Sequence, residues 1–350
     1  MRLLMAWVLL AAACGDDSSA ERDSGSDAAV DTGAEDTGAE DTGAEDTGTR
    51  DSALPDAPAD VGVADAGGPV NPLEGAGAVE LVAEMHEGRM FRFLEGPHWR
   101  PDGTLVFSDL SFGDAANTTI FSLTPPSSIS VLRRPSEGAN GNATGPDGDL
   151  YSCLQGGRRV VRGTGSAIDV FARFEGDRFN APNDLVFRSD GTWYFTDPGF
   201  GVDMSDQDLS FRGVFRVTPA GEINAEYTDA DSRRPNGVEL SVDEATLYVA
   251  DTERQMVRAF EVAADGTLSG ERAFATGIGG ADGMAVDAAD NLYVTSSSGV
   301  QVFAPDGTRW GTIEVPRAPA NCAFGDDDRR TLYITAREGL YRVRLPVRGR

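Results

Sequence analysis

The chain has 350 residues, with 57 acidic side chains against 30 basic ones, two histidines and a formal charge of −27. It contains no lysine, which excludes Schiff-base chemistry, a lysine general base and a phosphate-binding P-loop. His86 and His98 are too few for a multi-histidine zinc or iron site. So acidic a chain is a poor match for nucleic acid, which is bound by neutralising phosphates, and none is expected as a partner. Carboxylates, amides, hydroxyls and a hard metal ion remain.

Met1-Arg2 is followed by an apolar run from Leu3 to Ala13 and then Cys14. A basic start, a core too short to span a bilayer and small residues at its end predict a signal peptide over 1–14. Ala11-Ala12-Ala13-Cys14-Gly15 resembles a bacterial lipobox, with Ala11 where leucine is commoner. Lipidation of Cys14 is the expectation, and ordinary signal cleavage nearby is the alternative. The protein is expected to be exported and held at the cell envelope, periplasmic or outer-membrane anchored. Its contact with membrane would be through that lipid only.

Residues 15–75 read as an acidic, disordered linker. Positions 15–70 alone hold 16 acids and two arginines, about half of the net charge. The segment includes Asp-Thr-Gly-Ala-Glu repeated from Asp31 to Gly48, and it lacks the apolar surface to offset chain entropy. Asp-Thr-Gly is also an aspartic-protease signature. A catalytic dyad needs two such turns held by separate rigid lobes, and these lie five residues apart in low-complexity sequence.

From residue 76 to 350 one pattern occurs six times. An acidic or amide residue opens it, apolar alternation follows, a turn rich in Asp and Gly comes next, and a second apolar strand begins. The openers are Glu95, Asn140, Asn183, Asn236, Asp282 and Asn321, spaced 45, 43, 53, 46 and 39 residues apart. Turns such as Pro101-Asp102-Gly103 and Ser189-Asp190-Gly191 predict hairpins, and further strands fill the gaps. About four strands every 40–50 residues predict an all-β fold, a six-bladed β-propeller. Val79–Met85 or Leu340–Leu345 should complete a blade with strands from the other end of the chain. A monomer is expected.

Equivalent positions of a propeller form a ring about its axis, so the six openers should converge at one mouth of the channel. A single Asn or Asp at a strand start is usually a turn or cap residue. Six in register, varying among Glu, Asn and Asp, point instead to a ligand site. Facing oxygens are costly when desolvated, and a hard dication relieves that cost. Ca²⁺ accepts carboxylate and amide oxygens and is the expected ion, with Mg²⁺ or Zn²⁺ as alternatives. Asp109, Asp197 and Asp251, which close second strands, are weaker candidates, with turn or packing roles open. His98 should face away from Glu95 and be structural. Arg158-Arg159 is either a solvated hairpin tip or a contact for a substrate anion. Cys153 and Cys322 are expected to be buried free thiols. No Gly-x-Ser-x-Gly elbow is present, against a serine hydrolase.

Glu95-Gly-Pro97, Ala139-Asn-Gly-Asn142, Gly156-Gly-Arg-Arg-Val160, Asn180-Ala-Pro-Asn-Asp184, Tyr194-Phe-Thr-Asp-Pro198, Arg234-Pro-Asn-Gly237, Leu247-Tyr-Val-Ala-Asp251, Asp282-Gly283 and Ala320-Asn-Cys322 occur in order. Over roughly residues 78–346 the chain therefore resembles the gluconolactonase / senescence-marker-protein (regucalcin-like) family of six-bladed calcium propellers, in its bacterial gluconolactonase branch. The resemblance implies metal ligands at Glu95, Asn183, Asn236 and Asp282, a catalytic Asp282, and substrate contacts from Asn142 and Asn321; Asn140, on the same ring, is expected to join them in binding substrate hydroxyls. It implies a calcium-dependent hydrolase opening small-molecule lactones, a sugar lactone such as gluconolactone foremost. Cys153-Leu154-Gln155-Gly156 departs from the branch's usual Cys-Glu-His-Gly. That loss of an acid/base contact motivates the alternative, a non-catalytic calcium-stabilised propeller tethered to the envelope as a binding or scaffold module.

Overall fold

The structure is a computed structural model that describes residues 71–112, 114–229 and 234–350. The predicted signal peptide, Cys14 and the linker up to residue 70 lie outside the described residues. Six four-stranded antiparallel sheets follow one another along the chain. Blade 1 comprises Leu94–Trp99, Leu105–Asp109, Thr119–Thr124 and Ser128–Arg133, from the innermost strand outward. Blade 2 comprises Ala139–Thr144, Leu150–Leu154, Arg159–Arg162 and Ile168–Phe171. Blade 3 is built from Leu185–Phe187, Trp193–Asp197, Arg212–Val217 and Ile223–Asp229. Blade 4 is built from Pro235–Leu240, Thr246–Asp251, Met256–Val262 and Leu268–Thr276. Met284–Val286, Leu292–Ser296, Gly299–Phe303 and Arg309–Ile313 form blade 5.

Blade 6 takes Asn321–Gly325, Thr331–Ala336 and Gly339–Arg344 from the end of the chain and its outermost strand, Glu80–Ala83, from before blade 1. Leu81 opposes Tyr341 and Glu80 opposes Arg342 across that closure. The ring is thereby sealed by hydrogen bonds between segments some 260 residues apart. Residues 71–76 form a turn whose Leu73 packs on blade 6, so the domain's packing begins slightly ahead of residue 76.

The second strand of each blade is buried on both faces, so it reads as a continuous apolar run. In blade 3, Trp193 and Phe195 pack toward blade 2 while Tyr194 between them packs toward blade 4. In blade 4, Tyr248 and Ala250 face blade 5, and Leu247 and Val249 face blade 3. Alternation along each strand thus feeds six apolar layers, one between each pair of neighbouring blades. Burying each such side chain contributes roughly 1.5–3 kcal/mol. Phe179, Phe195 and Phe215 add edge-to-face and stacked contacts within 5.0–5.3 Å between blades 2 and 3.

Candidate active site

The six openers sit where the innermost strands begin. Glu95, Asn140, Asn183, Asn236 and Asn321 are buried, and Asp282 is half-buried. In blades 1, 2 and 4 the innermost strand bulges just after the opener, between Glu95 and His98, Ala139 and Asn142, and Pro235 and Val238. In blades 3 and 5 regular pairing starts only at Leu185 and Met284. Glycine follows the opener in four blades. A Cβ at Gly96, whose φ is +48°, would lie 2.0 Å from the Asn140 carbonyl oxygen, and one at Gly283 would lie 2.0 Å from Asn321 Cγ. The absence of a side chain there lets each innermost strand close onto the next opener.

Hydroxyls on the second strands fix the backbone of this ring. Ser108 Oγ donates to the Asn140 carbonyl at 2.8 Å, Thr196 Oγ1 to the Asn236 carbonyl at 2.6 Å, and Thr295 Oγ1 to the Ala320 carbonyl at 2.8 Å. Gly141 N–H donates to the Asn183 carbonyl at 2.8 Å. Asn140, Asn183 and Asn236, and Ala320 beside Asn321, are thus held by the preceding blade, which sets their positions before any ligand arrives.

The side chains then meet across the axis. Asn321 Nδ2 of blade 6 reaches Asp184 Oδ2 of blade 3 at 3.5 Å. Burial, then Asp282 and Asp184, push the Glu95 carboxyl well above the ordinary range, and Gly96 N–H and the Asn321 amide oppose this. Burial and Asp184 push Asp282 up to about 8, against the Asn236 amide and Arg337. Asp184 is itself pushed up to about 7, chiefly by burial. Asn140 Oδ1 and Asn236 Oδ1 are buried with no hydrogen-bond donor. Three mutually repelling carboxyls and two orphaned amide oxygens at one mouth are the pattern that a hard dication satisfies. Among the described residues no group of three or more His, Cys, Asp and Glu is placed to hold a metal ion by itself.

Below the ring the channel opens into a cavity of about 310 Å³ whose lining includes Asn142, Asp184, Glu239 and Asn321. At its far end Arg350 donates to Glu239 at 2.8 Å and to the Leu240 carbonyl at 3.1 Å. Asn142 is committed within the blades. Its Nδ2 donates to Gly96 O, Ser108 Oγ and Asn140 O, and its Oδ1 accepts from Ser152. Asn140 keeps a free oxygen because its Nδ2 donates to Gln155 Oε1 at 3.2 Å. Gln155, where the resemblance implies a histidine, is buried and presents a neutral amide to Asn140.

The remaining candidates are structural. Thr144 N–H donates to His98 Nε2 at 2.9 Å, linking blades 1 and 2. Burial and the charges of Arg329 and Arg100 push His98 down to about 4. Arg158 donates to the Phe179 and Asp206 carbonyls at 2.7 and 3.0 Å, and Arg159 pairs with Glu137 and Asp169 at 2.8 and 2.9 Å. Neither is a solvated hairpin tip, and Arg158 Nη2 is buried without a hydrogen-bond acceptor. Cys153 and Cys322 are buried free thiols, as expected.

Asp184 was missed by sequence reasoning. Strict alternation places it opposite Asn183 and off the axis, and the irregular backbone ahead of Leu185 defeats that. A signal did exist: glycine follows the opener in four of the six blades, and in blade 3 a carboxylate stands at that position.

Comparison with known proteins agrees with this architecture. A family model described as SMP-30/Gluconolactonase/LRE-like region matches residues 93–338. A gluconolactonase of Zymomonas mobilis is 33% identical over 291 residues, covering 74% of this chain and 80% of its own. A solved gluconolactonase of Xanthomonas campestris superposes with a TM-score of 0.68 at 32% identity, over 77% of this chain and 89% of its own. Regucalcin of Agrobacterium tumefaciens, a calcium-binding protein, shares the fold with a TM-score of 0.64 at 20% identity, over 78% and 96%. The sealed six-bladed ring, the openers at its mouth and these matches place the chain in the SMP-30/gluconolactonase/LRE-like family.

Proposed function

We propose that the channel mouth is the active site of a calcium-dependent lactonase, with Glu95, Asn183, Asn236 and Asp282 holding the ion and a sugar lactone such as gluconolactone as substrate. The coarse activity, lactone hydrolysis by an ester hydrolase, is supported by family membership and by the gluconolactonase relatives at 32–33% identity. The observation that carries the metal is the orphaned oxygen of Asn236, a member of that ligand set, beside carboxyls raised by burial and by neighbouring carboxyls. When bound, such a cation supplies Lewis-acid stabilisation of charge developing on a carbonyl oxygen.

The chain's own groups do the rest. Asp282 takes the proton of the attacking water as general base. Asp184 opposes the positive charge at the mouth and keeps that carboxylate basic. Glu95, two openers from Asp282 around the ring, would hold the cation as a carboxylate, because a bound dication offsets the burial and the neighbouring acids that raise it. Asn140, with its free oxygen, and Asn321 accept and donate to substrate hydroxyls. The serine and threonine hydroxyls of the second strands keep the ring from relaxing as charge develops.

The test is turnover on a panel of lactones, with and without EDTA, for the wild type and Asp282→Ala. Metal-dependent hydrolysis lost in the variant supports the reading. Calcium-dependent melting without turnover on any lactone favours the scaffold alternative, for which the neutral Gln155 at the mouth is the motivating observation. We propose further that Cys14 is lipidated and anchors the protein at the cell envelope. Absence of labelled fatty acid on the wild type, or unchanged membrane retention of Cys14→Ser, overturns that.

A further inference from the structure

A second cavity, of about 510 Å³, shares no lining residue with the one below the ring. It lies at the seam where the ring is closed. Asp109, Thr119 and Phe121 of blade 1 line it, with Arg134, which follows that blade's outermost strand. Glu338 enters from the turn between Thr331–Ala336 and Gly339–Arg344 of blade 6, and Arg317 from the loop leading into that blade. His86 and Arg89 come from the hairpin of Met85–His86 and Arg89–Met90, between the borrowed strand and blade 1.

Four guanidiniums line this cavity, those of Arg89, Arg92, Arg134 and Arg317, against the carboxylates of Asp109 and Glu338. Asp109 is already committed to the N–H groups of Arg92, Phe93 and Ser111. Arg89 is tied to Asn117 and lies 3.7 Å from Asp114. Arg317 Nη2 donates to Glu84 at 2.9 Å and its Nε lies 3.7 Å from Glu338, yet its Nη1 is buried with no acceptor. Arg134 Nε donates to Thr119 Oγ1 at 2.9 Å, and its guanidinium lies over the Phe121 ring, 5.8 Å from the centroid. Arg92 and Arg134 are exposed, and among the described residues neither guanidinium pairs with a carboxylate. In so acidic a chain that is the exception: Arg216 meets Glu226 at 2.6 Å, Arg258 meets Asp251 at 3.1 Å and Arg344 meets Asp328 at 2.6 Å. Phe91 and His86 pack edge-on against Phe121 at 5.2 and 5.3 Å, which gives the cavity an aromatic wall.

We propose that this cavity binds a tetrahedral oxoanion of the phosphate or sulfate class, free or carried on a small organic molecule. A buried guanidinium edge without an acceptor is costly until something brings oxygens to it. Guanidiniums arriving from separate segments suit an anion with oxygens on several sides, where a planar carboxylate satisfies one fork. The volume is that of a small-molecule site, and the aromatic wall can take an organic body. The anion would join residues on both sides of the ring closure. The inference does not depend on the lactonase reading.

Titration calorimetry and thermal melting of the full chain test it, in chloride buffer with EDTA so that no metal at the openers captures the anion. The probes are inorganic phosphate, phenyl phosphate and phenol. Phosphate and phenyl phosphate should bind one site per chain and raise the melting temperature, and phenol should do neither. Tighter binding of phenyl phosphate assigns the site to an organic phosphate, and equal binding assigns it to the free anion. Arg92→Gln and Arg134→Gln should each weaken the phosphates about 10- to 100-fold, as loss of a charge-assisted bond predicts. Neither side chain has a carboxylate partner to lose, so both variants should melt like wild type without the anion and keep wild-type turnover of a neutral lactone. Arg272→Gln, exposed on the outermost strand of blade 4, should bind as wild type does. No saturable binding of either phosphate by the wild type, or equal weakening in Arg272→Gln, overturns the site.

Discussion

Two sets of buried carboxylates lie within this propeller, and they are treated in opposite ways. At the ends of the second strands, Asp109 accepts from the backbone N–H groups of Arg92, Phe93 and Ser111 at 3.1–3.3 Å. Asp197 accepts from Asn180 and Ala181, and Asp251 accepts from Arg254 N–H and the Arg258 guanidinium. These acids staple a loop to its own blade. At the openers, Glu95 accepts one N–H at 3.2 Å, from its own neighbour Gly96, and faces Asp184 and Asp282. Burial raises Asp109 and Asp197 as it raises Glu95 and Asp282. At Asp197 it is opposed by N–H donors, Arg158 and Arg212, whereas at the openers the neighbouring carboxylates add to it. Satisfied acids are structure, and under-satisfied acids held in place by other blades are a site prepared for something absent from the chain itself.

The sharpest way to break this comparison is to exchange the consequences. Asp282→Ala should lower kcat/KM for a lactone by about 10³-fold or more with little loss of melting temperature, as removal of a general base predicts. Asp197→Ala should do the reverse. It leaves two buried N–H groups without acceptors and should cost about 2–3 kcal/mol in denaturant unfolding, with calcium affinity retained. If both variants lose stability equally and neither loses turnover selectively, the division fails.

Next in size is Gly96→Ala. Its Cβ would meet the Asn140 carbonyl oxygen at 2.0 Å, from a backbone in the left-handed region. Unfolding should be about 3 kcal/mol easier or more, and lactone turnover should fall because Glu95 and Asn140 part. A wild-type melt and rate would contradict the close-approach account.

A further effect is read in the pH dependence after EDTA treatment. Asp184 and Asp282 stand at about 7 and about 8 when folded, against an ordinary aspartate value of 3.8. The folded state binds more protons than the unfolded one between those values, so stability should fall as pH rises from about 4 to about 8 and then level off. Saturating calcium, which requires the ionised carboxylates, should remove that slope. The smallest effect is at His98, held near 4 against an ordinary 6.5. The unfolded state binds the extra proton there, so this contribution is lost as pH falls from 6.5 to 4. His98→Gln should flatten that acid limb in thermal melts.

Much of this was legible in the sequence. Six openers at near-equal spacing fixed blade number and mouth, because a repeat places equivalent residues on one ring. Closure between the ends was foreseen, while the choice of Glu80–Ala83 as the borrowed strand depended on pairing that no local pattern encodes. What escaped came from the bulges. Asn140 and Asn142 lie two apart and should share a face, yet the bulge between Ala139 and Asn142 turns the second amide into a clamp on blade 1. In blade 3 the unpaired backbone ahead of Leu185 brought Asp184 to the axis. Strand alternation fails at the stretch where the chain was bent to build the ring.

The central claim is that the opener ring holds one divalent cation. Titration calorimetry of the EDTA-stripped protein with calcium tests it most directly, beside Glu95→Gln and Asp109→Asn. One site per chain, lost in Glu95→Gln and retained in Asp109→Asn, is the expected result. No binding by the wild type, or binding unaffected by Glu95→Gln, would contradict it.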